Sequence, residues 1–300
     1  MNEHPEIILG TRGSALAVAQ TRLVEEALRA AWPKRQIRVE IIQTTGDKRL
    51  DLSLTQAAGT LDKGLFTKEL EEALLDRRID VAVHSLKDLP TTLPPGLELT
   101  AVLERANPAD VLISKTEAGF YELPEGATVA TSSLRRQLQL LWKRPDLKVA
   151  NIRGNVTTRL RKLAAAPDWN GIVLAAAGLK RLGLDWENGW FESEGATFFC
   201  QSLTPEITLP AVGQGAIGLE TRAGDRETAV IRHEPTWLAV TAERRLLQLL
   251  GGGCQTPLGV LATWQNGQLN MRAVLFRGGT AFSAEGSTPH EVALQLLRES

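Results

Sequence analysis

The chain has 300 residues and a mass of 32.7 kDa, long enough to bury a substantial core and to form two or three domains. Its 34 Lys and Arg against 35 Asp and Glu leave a formal charge of -1, without the basic excess of a general nucleic-acid binder. A hydrophobic content of 43% excludes wholesale disorder.

The amino-terminal MNEHPEIILG lacks a basic segment followed by a long apolar run, and no stretch approaches the length of a membrane span. A cytoplasmic chain with neither a nucleic-acid nor a membrane partner is expected. Cys200 and Cys254 are too sparse for a disulfide scaffold and neither joins a metal-ligand cluster. A bridge between the two would require them to meet in space.

Residues 7–10 read as a first strand, with Thr11 to Ser14 turning into a helix that carries Leu16, Ala19, Leu23, Ala27 and Leu28 on one face. Ser14 can cap that helix, and Arg12 and Ser14 stand where an anion could meet helix N–H groups or where a plain capped turn would suffice. A second strand is expected over 39–44. Residues 48–63 lose periodicity and fit a loop. Phe66, Leu70, Ala73 and Leu74 resume helical spacing. The run VAVHSLKDLP, Val81 to Pro90, then reads as a buried parallel strand whose carboxyl end delivers His84, Ser85, Lys87 and Asp88, where ligands bind in open α/β sheets. Lys87 and Asp88 are the first candidates for chemistry; a strand-end ion pair or helix cap is the plainer alternative.

A further strand over 97–103 leads to Asn107 and Pro108, a crossing between domains. Strands are expected over 111–114, 128–131, 148–152 and 171–177. Three of their ends carry basic groups: Arg135 and Arg136 after serines 132 and 133, Arg153 and Arg159 around Gly154, and Lys180 with Arg181. In a parallel sheet these ends share an edge, so convergence on one anionic ligand is expected. Serines 132 and 133 can cap the following helix, whereas arginines in its first turn oppose the helix dipole and favour an external anion or carboxylate partner, with solvated arginines the plainer alternative.

Residues 186–202 read as an irregular surface insertion, and 209–220 as a crossover strand too poor in glycine order for a dinucleotide fingerprint. A helix over 233–250, with His233 capping or packing, precedes Gly251 to Gly253 and Cys254. Strands over 260–262 and 270–276 about an Asn266-Gly267 turn, and a helix over 291–297, complete a small α+β domain.

With GTRGSALA at Gly10, KGLFTKELE at Lys63, VHSLKDLP at Val83, TSSLRRQ at Thr131, IRGNVTTRL at Ile152, AAAGLKRLGL at Ala175, LPAVGQGA at Leu209 and GGGCQTPLG at Gly251, the chain resembles the porphobilinogen deaminase (hydroxymethylbilane synthase) family. The number and order of these motifs make the likeness far more specific than any one of them. It implies an α/β fold with two lobes like those of type II periplasmic binding proteins and a small C-terminal α+β domain. The expected boundaries are 1–104 with a return segment 216–233, then 105–215, then 234–300.

The resemblance also implies the condensation of four porphobilinogen molecules head to tail, with loss of four ammonia molecules, followed by hydrolytic release of hydroxymethylbilane. Growth occurs on a dipyrromethane cofactor attached to Cys254 through a thioether. Asp88 matches the catalytic aspartate, with Lys87 beside it. Cofactor contacts implied are Cys254, Lys87, Asp88, Ser133, Arg135, Arg136, Arg153 and Gly154; substrate contacts are Arg12, Ser14, Lys63, Arg153, Arg159 and Arg181. Guanidinium forks suit the acetate and propionate groups of the growing chain.

Partners implied are porphobilinogen and linear polypyrrole intermediates, with a functional hand-off to uroporphyrinogen III synthase, and the chain is expected to be a monomer. Two departures stand out: LDKG at Leu61 to Gly64 places Leu61 and Asp62 where many relatives have glycines, and the stretch around Trp190 lengthens the second domain. The competing reading is a noncatalytic bilobal binding protein for a small polycarboxylate, which leaves Asp88 and Cys254 without a joint purpose. A transcriptional regulator of similar ligand-binding fold is weaker still, since the chain starts in its α/β domain with no helix-turn-helix segment.

Overall fold

The alternation of β-branched runs with helical spacing builds two separate α/β sheets and a third, smaller sheet, the fold class expected. The computed structural model describes residues 6–45, 66–253 and 256–298. Lys63, the Leu61-Asp62 departure and Cys254 lie outside them. The chain divides into two compact units, Met1–Arg105 with Ala216–Leu238, and Ala106–Gly215 with Ala239–Ser300.

The first unit holds a five-stranded sheet in the order β2-β1-β3-β11-β4. β1 (Glu6–Thr11) lies parallel to both β2 (Gln36–Ile41) and β3 (Val81–Ser85). β11 (Ile217–Arg222) returns antiparallel between β3 and β4 (Leu97–Val102). Val81 and Val83 join Val24 and Leu28 of the helix Ala15–Ala31 in one core, whereas Ala82 joins Leu70, Ala73 and Leu74 of the helix Lys68–Leu75 in another. The period-2 pleat therefore sends alternate β3 residues to opposite faces. The 209–220 segment is not one crossover strand: only Ile217–Arg222 pairs, because two glycines in the left-handed region, Gly213 and Gly215, break the extended run before it.

In the second unit β6 (Thr128–Ala130), β7 (Lys148–Ala150) and β8 (Gly171–Ala175) are parallel neighbours in a six-stranded sheet ordered β7-β6-β8-β5-β10-β9. β5 (Asp110–Ser114) runs antiparallel to β8, so its first residue, Asp110, sits opposite Ala175 at the carboxyl end of β8. The stretch expected to be an irregular insertion is a hairpin, β9 (Trp190–Ser193) and β10 (Ala196–Leu203). Its two-residue turn puts Glu194 at φ 51 and Gly195 at φ 80, the geometry that matches strand twist, while Phe191 and Phe198 point into the core. The apolar run 171–177 likewise stops as a strand at Ala175, and Ala176–Arg181 is helical.

β12 (Leu258–Gln265), β13 (Gln268–Arg277) and β14 (Thr280–Gly286) form the third sheet, and Val260, Met271 and Ala284 share a core with Leu246 and Leu296 of the helices Glu234–Leu249 and Pro289–Arg298. The Asn266-Gly267 turn is present, with Gln265 paired to Gln268. β14 escapes the sequence reading because only Ala284 along it is buried, too weak an alternation to mark a strand. Among the described residues no helix is long and apolar enough to cross a membrane, and no His, Cys, Asp and Glu group could hold a metal ion.

Candidate active site

In the first unit the carboxyl ends of β1 and β3 meet where strand order switches direction, the position at which open α/β sheets bind ligands. Arg12, Ser14, Gln20, Phe66, Thr67, His84, Ser85 and Asp88 line a pocket there. The Arg12 guanidinium carbon lies 4.1 Å from the Phe66 ring centroid, a cation–π contact that fixes the arginine beside the opening. Ser14 Oγ accepts from the Ala17 N–H at 3.2 Å, capping the helix as expected and keeping its own O–H as a donor. On the other side Ser85 and Gln20 hydrogen-bond at 2.9 Å, tying the end of β3 to the helix Ala15–Ala31.

Asp88 closes a single 3-10 turn, Leu86–Asp88, that is anchored by the buried Leu86. Its carboxylate is exposed at the pocket, and no side-chain hydrogen bond or ion pair to the described residues holds it. Lys87, half-buried, precedes it.

The basic strand ends of the second unit lie side by side, because β6, β7 and β8 are parallel neighbours. The partner that the misplaced first-turn arginines called for is internal. Asp110 is fully buried and accepts from Arg135 Nη1 at 2.7 Å, from Arg136 Nη2 at 2.8 Å and Nε at 3.0 Å, and from Gln214 Nε2 at 2.9 Å. Arg135 Nη1 also donates to Leu209 O at 2.6 Å and Arg136 Nη1 to Val173 O at 2.8 Å. Burial alone would raise the Asp110 carboxyl; the charges and hydrogen bonds of Arg135 and Arg136 outweigh it and hold the group far below the usual carboxylate range.

Two guanidinium groups against one carboxylate leave this buried cluster with one surplus positive charge, and the Arg135 Nε has no hydrogen-bond partner among the described residues. Ser133 occupies the N-cap position of the helix Leu134–Lys143, but its hydroxyl makes no capping bond. Ser132 does not cap either: it accepts from the Ile152 N–H at 3.0 Å and donates to Ile152 O at 2.8 Å. The helix start thus keeps open donors next to surplus positive charge.

Arg181, half-buried, donates to Gly215 O at 2.6 Å, and its Nε lacks a partner among the described residues. Desolvation lowers its proton affinity to about 10, with no carboxylate among the described residues to offset it. After β7 the turn holds Arg159 against its backbone: Arg159 Nε donates to Gly154 O at 2.8 Å, and Asn155 caps the next helix by accepting from the Thr158 N–H at 2.8 Å. Gly154 has φ +114, and a Cβ there would approach Thr158 Cγ2 to 2.6 Å. Gly154→Ala is expected to cost about 1–3 kcal/mol, read as a lower urea midpoint; an unchanged midpoint would show that the turn relaxes freely.

Sequence reasoning found the arginines but missed Asp110, Gln214 and Phe66. Asp110 carried one usable signal, a lone acid opening an apolar strand. Cys200 is a free thiol pushed up to about 12 by burial.

An orphaned guanidinium nitrogen, uncapped amides and surplus positive charge fit an anionic, polycarboxylate group. Residues 7–230 match the description "Porphobilinogen deaminase, dipyromethane cofactor binding domain", and residues 237–288 match "Porphobilinogen deaminase, C-terminal domain". Three relatives, each named porphobilinogen deaminase, bear this out over most of their length. The Syntrophomonas wolfei protein is 47% identical over 271 residues, covering 89% of this chain and 84% of its own. Those of Desulforudis audaxviator and Moorella thermoacetica are 50% and 49% identical over 274 residues, covering 90% of this chain and 84% and 83% of theirs. Likeness of this extent, over both matched domains, places the chain in the porphobilinogen deaminase family.

Proposed function

We propose that Asp88 is the catalytic carboxylate of a chain that condenses porphobilinogen head to tail into hydroxymethylbilane. The activity and the dipyrromethane cofactor come with family membership. The residue assignment rests on one observation above the others: an exposed carboxylate, unengaged by the described residues, beside Arg12 and Ser14 at the joined ends of β1 and β3.

Each condensation breaks a methylene C–N bond, forms a C–C bond and removes a proton from a pyrrole carbon while ammonia leaves. A carboxylate near the reacting pyrrole stabilises the positive charge that develops and can carry the proton, without acting as a nucleophile. Arg12, Arg153, Arg159, Arg181 and Lys63 are the proposed holders of substrate carboxylates, with Ser14 as a neutral donor. Ser133, Arg135, Arg136, Arg153 and Gly154 are the proposed cofactor contacts of the second unit. Arg135 and Arg136 would act through their surplus charge and the free Nε, since most of their N–H groups already serve Asp110 and backbone carbonyls.

The dipyrromethane, when bound, supplies the pyrrole terminus that accepts the first unit. Cys254 is the proposed thioether anchor. Cys254→Ala is expected to leave a folded protein that neither retains the cofactor nor turns over; wild-type porphobilinogen consumption by that variant would remove Cys254 from the scheme.

The proposed domain boundaries remain 1–104 with 216–233, 105–215 and 234–300. A cytoplasmic monomer that hands its unstable product to uroporphyrinogen III synthase completes the reading, and cross-linking of the two proteins during turnover tests the hand-off. The function itself is tested by supplying porphobilinogen to the purified protein. Ammonia release with formation of a linear tetrapyrrole is expected, whereas binding without consumption would favour a noncatalytic binding protein.

A further inference from the structure

His84 lies four residues before Asp88 and lines the same pocket, yet it is only 5% exposed. Its Nε2 is 2.9 Å from Oε2 of Glu220, a fully buried residue on the adjacent strand β11. The register explains the meeting: Glu220 stands opposite Ala82 and His84 opposite Gly218, so the two side chains are diagonal neighbours on the face that packs against the helix Lys68–Leu75. From that helix comes Glu71, also buried. Burial raises the Glu71 carboxyl above its ordinary value, the Glu220 charge adds to this and His84 opposes it. Glu220 Oε1 has no hydrogen-bond partner among the described residues.

A site meant only to fill space would hold apolar groups, as Leu70, Ala73 and Leu74 do on the same helix. Two carboxyls around one imidazole are instead costly to bury unless protons are shared among them. The imidazole is also the side chain best suited to exchange a proton near neutral pH. The charged groups around it come from four elements: Glu220 from β11, Glu71 from the helix Lys68–Leu75, Arg12 after β1 and Asp88 after β3.

We propose that His84, held by Glu220, is a second proton-carrying group of the Asp88 pocket, with Glu71 the buried acid beside it. This rests on the reading of Asp88 as the catalytic carboxylate. In one addition the His84 imidazolium gives a proton to the porphobilinogen amine as its C–N bonding pair leaves with nitrogen. When the new C–C bond has formed, Asp88 takes the proton from the pyrrole carbon, the C–H pair restores the aromatic ring, and the neutral imidazole takes that proton back from the carboxyl. Protons given and taken are equal, so no outside acid or base is consumed. Glu220 is a positioning residue: it fixes the ring by setting its carboxyl against Nε2.

The test compares pH profiles of kcat and kcat/KM for the cofactor-loaded wild type, His84→Gln, Glu220→Gln and Asp88→Asn, with thermal unfolding as the check on folding. Glu220→Gln is expected to shift the alkaline limb of kcat to lower pH and to reduce kcat about 10-fold near neutrality. His84→Gln should lower kcat on the order of 100-fold and remove that limb. Profiles of wild-type shape for both, with Asp88→Asn inactive, would overturn this proposal and leave Asp88 in place. An active Asp88→Asn would instead remove the underlying reading. If His84→Gln and Glu220→Gln do not fold, Glu71→Gln decides: it keeps the side-chain shape, a limb displaced to lower pH supports the proposal, and an unmoved one overturns it.

Discussion

Asp88→Asn is expected to reduce turnover of porphobilinogen by a factor on the order of 100 to 10,000, the range that a positioned acid–base carboxylate contributes, while leaving the unfolding midpoint close to wild type. Both halves follow from the same geometry. The carboxylate is exposed and makes no side-chain bond to the described residues, so the fold loses nothing when its charge goes; substitutions at such positions usually change stability by less than about 0.5 kcal/mol. Asparagine keeps the shape and hydrogen-bonding reach of the side chain but can neither balance a cationic pyrrole nor carry its proton. Steady-state kinetics on cofactor-loaded protein, with urea unfolding alongside, checks the pair of expectations. A variant within a factor of two of wild type would deny Asp88 its role, and a variant that merely unfolds would show that Asp88 is structural.

The opposite pattern is expected at Asp110. Asp110→Asn leaves Arg135 and Arg136 buried with no counter-charge, and removing one partner from such a cluster costs about 3–5 kcal/mol. The loss should appear as a lower urea midpoint. The pH dependence follows from the depressed carboxyl of the folded state. A group whose folded value lies below its unfolded value contributes fully above the unfolded value, about 3.9 for an aspartate. The contribution disappears as pH falls through the lower, folded value. Wild type and variant should therefore differ by a constant amount from neutrality down to about pH 4 and converge in stronger acid. A difference that persists unchanged into strong acid would mean that shape, not charge, is what Asp110 supplies.

Much of this architecture is written locally. Val81 to Val83 is a short apolar run that ends in the polar residues His84 and Ser85, and such an end can be placed at a sheet edge from sequence alone. The basic residues after β6, β7 and β8 were legible for the same reason. What escaped was set by distance along the chain. Arg135 and Arg136 meet Asp110 across 25 and 26 residues, Gln214 reaches it across 104, and Glu220 reaches His84 across 136. No periodicity signals a pairing of that separation. The sequence therefore showed that the two arginines needed an anion without showing that the chain supplies one itself.

Local misreadings have local causes. Ala176 and Ala177 continue the apolar run of β8, but alanine is the strongest helix former, so apolarity alone extends the strand two residues past its end at Ala175. The β9–β10 turn places Glu194, a residue uncommon at positive φ, where Asn or Asp would have announced a hairpin.

The central claim is that the chain builds its product on a covalent primer carried by Cys254. Intact mass under denaturing conditions, for the wild-type protein and Cys254→Ala after incubation with porphobilinogen, tests it most directly, with peptide mapping to locate any adduct. A dipyrromethane-sized addition on the peptide containing Cys254, absent from the variant, is the predicted result. An unmodified wild-type protein, or an equal addition to both, would contradict it.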